Sequence, residues 1–125
     1  MYKRLFFLLF YVLCYSASAQ LKTIDSLTFK TKKLYNNERY NEVIDFVNHS
    51  KHNFKRELAS DSLNHVSLLF YKANSNYYLK KYLKSVNGLN TVINLSPTSN
   101  KGLVLKGKAF FLNTLYKIIL SRLQV

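Results

Sequence analysis

The chain has 125 residues, 48% of them apolar, with three glycines, one proline, one cysteine and a formal net charge of +13. That length suits one domain with a sizeable core, and so few glycines argue against a glycine-rich phosphate loop. A lone cysteine excludes an internal disulfide, and six scattered carboxylates offer no paired set for acid–base catalysis.

The first nineteen residues read as a signal peptide. Lys3 and Arg4 form a short positive segment, Leu5 to Cys14 an apolar run, and Ala17-Ser18-Ala19 the small-x-small pattern of a cleavage site. The apolar run is shorter than the roughly 20 residues that span a bilayer, and an uncleaved anchor is the alternative to cleavage. Cleavage after Ala19 makes Gln20 the new N-terminus, removes Cys14, and places the mature domain, residues 20–125, in the periplasm or outside the cell. Export, rather than charge, disfavours nucleic acid as a partner.

From Leu27 onward, apolar residues recur at the three- and four-residue spacing of helices. One helical run holds Leu27, Lys30-Thr31 and Leu34-Tyr35, and Asn36-Asn37-Glu38 breaks it before Val43-Ile44 and Val47. Ser60 and Asp61 are candidate N-caps for the run through Leu69, Ala73 and Tyr77. Val86, Leu89 and Val92-Ile93 follow, and Pro97 marks a stop. The predicted fold class is all-α.

The runs repeat. Leu69, Lys72, Ala73, Tyr77, Tyr82, Val86 and Leu89 each have a counterpart 34 residues later, from Leu103 to Leu123. They also have counterparts 42 residues earlier: Leu27, Lys30, Thr31, Tyr35, Tyr40, Ile44 and Val47. An eight-residue insertion over Lys51 to Leu58 accounts for the longer step. Three helical pairs follow, near residues 24–58, 62–97 and 100–125, the last incomplete.

At these residues the chain resembles the tetratricopeptide repeat, a 34-residue helix–turn–helix unit. Thr31, Ala73 and Gly107 fill its small first-helix position, Tyr40, Tyr82 and Tyr116 open its second helices, and Leu95-Ser96-Pro97 closes a unit. Lys30, Lys72 and Lys106 depart from it, standing where the family places apolar residues. The resemblance implies hairpins stacked as a short right-handed solenoid whose first helices line a concave groove for a partner protein or peptide. Carried over, its groove positions fall on Tyr35, Phe70, Asn74, Tyr77, Tyr78 and Lys108, with Asn36, Val104, Phe111 and Leu112 beside them. Tyrosine offers contact area with a hydroxyl, and asparagine can hydrogen-bond a peptide backbone. Thr28 and Leu105 break the family's clamp for C-terminal carboxylates, so that specificity is not carried over.

Catalytic residues, cofactors and a metal site are not expected. His49 and His52 share a helix face and His65 follows, but no helical carboxylate pair accompanies them. From Ser62 to Val125 there are nine Lys and Arg residues and no Asp or Glu, a one-signed half that attracts anionic surfaces or polymers. Val125 falls inside the expected second helix of the third unit, leaving Ile118-Ile119-Leu120 uncovered. Solenoid ends normally carry a polar cap, so this end implies self-association or a shortened piece of a larger receptor such as a sensor kinase. The leading expectation is an exported, non-enzymatic interaction module. The alternatives are the N-terminal sensor part of such a receptor and a basic surface protein holding anionic polymer or lipid.

Overall fold

The computed structural model describes residues 2–98 and 100–123, with the backbone alone over residues 14–23. Val125, and the side chains of Cys14 and of Ala17 to Gln20 on which the cleavage reading rests, lie outside the described residues. The fold among the described residues is all-α. Its helices are α1 (Tyr2–Asn36), α2 (Tyr40–Asn53), α3 (Lys55–Ser60), α4 (Ser62–Tyr78), α5 (Tyr82–Leu95) and α6 (Asn100–Leu123).

Two of the connections are built identically. At the end of α1, Glu38 N–H donates to Tyr35 C=O and Arg39 N–H to Leu34 C=O, both at 3.0 Å. At the end of α4, Lys80 N–H donates to Tyr77 C=O at 3.0 Å and Lys81 N–H to Asn76 C=O at 2.8 Å. Each pair is a Schellman motif, which satisfies carbonyls that a helix end leaves without intrahelical partners. The motif needs one residue in the left-handed region, and Glu38 (φ 58°) and Lys80 (φ 62°) supply it. Arg39 and Lys81 then stand at the N-caps of α2 and α5, each fourteen residues long.

α4 sits centrally and touches α1, α2, α3, α5 and α6. Ile24, Leu27, Leu34, Val43, Val47, Leu58 and Leu68 form one buried cluster, with Tyr35, Phe46, Phe54 and Tyr71 packed against it. Leu69, Ala73, Val86, Leu89, Val92 and Ala109 are buried on α4, α5 and α6. Small residues set the spacing between α4 and α5: a Cβ added at Gly88 would lie 3.1 Å from the Ala73 Cβ. Asp61 caps α4, its Oδ1 accepting from Asn64 N–H at 3.1 Å. Ser60 instead ends α3 and donates its hydroxyl to Glu57 C=O.

The inserted stretch runs from the end of α2 through Phe54 into α3, and its Leu58 joins the core at 2% exposure. Two local expectations are corrected. Tyr116 opens no second helix, because α6 runs unbroken from Asn100 to Leu123. The residue equivalent to Lys80 is Thr114, whose branched Cβ makes the left-handed region especially unfavourable; its hydroxyl donates to Phe110 C=O, as in a continuing helix. Gly107 sits at no helix crossing, since a Cβ there would meet nothing within 4 Å, and α6 buries Gly102 and Ala109 instead.

Tyr2 to Leu13 form an exposed apolar arm on the N-terminal part of α1. Among the described residues, no helix is long and apolar enough to cross a membrane.

Candidate functional site: a groove between α4 and α6

A groove of about 640 Å³ runs between α4 and α6. Phe70, Asn74, Tyr77 and Tyr78 form its α4 wall, and Lys101, Val104, Leu105 and Lys108 its α6 wall, with Asn100 at the end. Both walls follow helical periodicity, since residues three, four and seven apart share one face. The lining is apolar and aromatic, with two lysines and no carboxylate.

Five of the residues mapped from sequence therefore meet at one place: Phe70, Asn74, Tyr77, Tyr78 and Lys108. Val104 joins them, whereas Asn36, Phe111 and Leu112 do not line the groove. Tyr35 lies behind the wall and supports it: Asn74 Nδ2 donates to Tyr35 Oη at 2.6 Å. Asn100, Lys101 and Leu105 were missed by the sequence mapping. Their signal is the i, i+3, i+4, i+7 stripe of 101, 104, 105 and 108, which becomes readable once α6 is known to be one helix.

The aromatic residues are tied into a continuous assembly. The Tyr35 and Tyr40 rings meet edge to face at 5.7 Å, and Tyr77 and Tyr82 repeat that arrangement at 5.8 Å. Tyr40 stacks on Tyr78 at 5.1 Å with 9° between ring planes, joining the start of α2 to the end of α4. Tyr35 also packs on Tyr71 at 5.1 Å and on Tyr78 at 6.3 Å. Such pairs contribute about 0.5–1.5 kcal/mol each beyond area burial, enough to restrict the rotamers that shape the groove.

Two of these tyrosines are made harder to ionise. Burial, then the neighbouring Tyr78, pushes the Tyr35 phenol far above its ordinary value. Desolvation, Glu38 and Tyr78 raise Tyr40 in the same direction. Both hydroxyls stay protonated at neutral pH and act as hydrogen-bonding groups rather than as bases.

The histidines take separate local roles. A His49 ring nitrogen bonds Asp45 C=O at 2.9 Å, and His65 is half-buried near the start of α4. No group of three metal-ligating side chains occurs among the described residues.

No known protein family, characterised protein or solved structure matches this chain.

Proposed function

We propose that this chain is an exported interaction module, resembling the tetratricopeptide repeats, that holds a peptide segment of a partner protein in the α4–α6 groove. The observation that carries the reading is the convergence of Phe70, Asn74, Tyr77, Tyr78 and Lys108 on one groove of about 640 Å³. An apolar, aromatic lining with a few polar groups is the usual chemistry of a recognition cleft. Lys101 and Lys108 favour a segment carrying a carboxylate beside an apolar side chain, because no acidic residue in the lining competes for them. The export reading draws support from Lys3 and Arg4 preceding an apolar arm whose described side chains lie outside the core.

Selection of a displayed random-peptide library on the full chain tests this reading. Enriched peptides should combine aromatic or aliphatic residues with Asp or Glu, and Tyr78→Ala with Lys108→Ala should weaken them at least tenfold. Enrichment that survives both substitutions would place recognition elsewhere.

A second reading rests on α6. Phe110, Phe111, Ile118 and Ile119 are 48–66% exposed, far more apolar surface than one groove wall requires. A second copy of the chain packed on α6 would cover it. Concentration-dependent sedimentation that Phe111→Ser with Ile118→Ser converts to monomer would support this; a monomer across the micromolar range would end it.

A further inference from the structure

A second cleft opens on another side of α4. It lies between α2, α4 and α5, has a volume of about 480 Å³, and shares no lining residue with the groove. Four lysines line it: Lys51 from α2, Lys72 from α4, and Lys81 and Lys84 from the start of α5. Asn48, Asn76 and Asn87 add carboxamides, while the lining contains neither a carboxylate nor an aromatic ring.

The energetics of this arrangement ask for an anion. Like charges gathered at one cleft repel each other, and a half-buried ammonium also loses hydration. Lys72 is such a group. Its Nζ donates to Asn48 Oδ1 at 2.7 Å, which occupies one of the three donors an ammonium carries. Burial first, then Lys51 and Lys84, lowers its proton affinity. A bound anion would reverse the repulsion, whereas a cation would find no ligand set.

The lining also selects among anions. Lysine binds phosphate groups as a compact point charge, and asparagine N–H groups can donate to the remaining oxygens. Four positive charges match a ligand with at least two negative ones. Without an aromatic ring there is no stacking platform for a nucleobase, so the charged groups themselves would be recognised.

We propose that the α2–α4–α5 cleft is a binding site for a phosphate-bearing ligand of two or more negative charges, held by Lys51, Lys72, Lys81 and Lys84. The site is distinct from the peptide groove and does not depend on that reading.

Calorimetric titration of the full chain with sodium tripolyphosphate, at constant ionic strength, tests it. The wild type should saturate at one ligand per chain. Lys72→Gln and Lys84→Gln should each weaken binding at least tenfold, while Lys33→Gln and Lys117→Gln, which remove the same charge elsewhere, should change it less than twofold. Lys84 is exposed, so its variant tests the cleft even if Lys72→Gln alters the fold. Absence of saturation, or equal weakening by all four substitutions, would overturn the proposal and reduce the lysines to a diffuse positive field. Vesicles of phosphatidylcholine with and without phosphatidic acid then separate the sources of the phosphate. Lys84-dependent capture by the acidic vesicles, reversed by tripolyphosphate, assigns a lipid headgroup. Tripolyphosphate binding without vesicle capture assigns a soluble ligand.

Discussion

Glu38 and Lys80, 42 residues apart, adopt the same left-handed backbone conformation, with φ of 58° and 62°. Each is the pivot of a Schellman turn, and the next residue in each case, Arg39 or Lys81, donates back across five residues. A side chain with a Cβ costs about 1–2 kcal/mol in this region, and glycine escapes that cost. Glycine also gains freedom in the unfolded chain, worth roughly 0.5–1 kcal/mol against the fold.

Glu38→Gly and Lys80→Gly should therefore each stabilise the chain by about 0.5–1 kcal/mol. Glu38→Val and Lys80→Val should destabilise it by at least as much, because branching at Cβ makes the region less accessible still. Urea denaturation of the four variants measures both signs. Loss of stability in the two glycine variants would mean that the side chains, and not the backbone, hold the turns.

Gly88 and Gly107 separate helix propensity from packing. Gly107 lies in the interior of α6 with open space where a Cβ would project. Gly88 lies in α5 with Ala73 Cβ 3.1 Å from that place. Alanine is favoured over glycine in a helix by about 0.8–1 kcal/mol. Gly107→Ala should gain most of that, whereas Gly88→Ala should fall short of it by about 0.5 kcal/mol or more as α4 and α5 are pushed apart. Equal gains would show that the α4–α5 crossing relaxes easily.

The same residues show what a sequence can disclose. Helical class, the interruption at Asn36-Asn37-Glu38 and the stop at Ser96-Pro97 were legible because they are local: periodicity, polar turn residues and proline act within a few positions. The turns at residues 34–39 and 76–81, 42 positions apart, carry matching hydrogen bonds. The continuation of α6 was not legible, because spacing alone puts Tyr116 in the place of Tyr40 and Tyr82. The deciding fact is Thr114, whose branched Cβ resists the turn that Glu38 and Lys80 make. The α4 residues of the groove were reached through the family resemblance, and they share one helix face. The lysine cleft could not be mapped, since Lys51, Lys72 and Lys84 come from three helices and meet only after packing.

His65 gives the fold a dependence on pH whose sign is fixed. Burial, and then the positive charge of Lys51, hold its imidazole below the ordinary value of about 6.5. The folded chain thus resists a proton that the unfolded chain accepts. As pH falls through 6.5, the unfolded state binds more protons and stability decreases. Denaturation midpoints should decline from pH 7 to pH 5, and His65→Gln should flatten that decline. Below about pH 4 a further loss should appear, because Asn64 hydrogen bonds lower the Asp61 carboxyl and that contribution disappears on protonation. A midpoint that rises between pH 7 and pH 5 would contradict the assignment to His65.

The N-terminal arm supplies the last prediction. α1 is continuous through residue 20, yet its described core members, Ile24, Leu27, Thr31 and Leu34, all lie beyond that point. On the arm, Leu5 to Leu13 keep 58–75% of their surface exposed. Removing residues 1–19 takes away an arm whose described apolar side chains, as far as Leu13, are exposed, so the shortened chain should keep its midpoint of thermal unfolding within about 3 °C, less than the shift expected from 1 kcal/mol in a domain of this size. It should also be markedly more soluble, since an exposed apolar arm promotes association. Expression of the full chain in a bacterium, followed by cell fractionation and intact-mass measurement, tests the role of the same segment. A mature species beginning at Gln20 outside the cytoplasm would identify the arm as an export leader. A full-length species retained in the cytoplasm would refute export and make the arm part of the working protein.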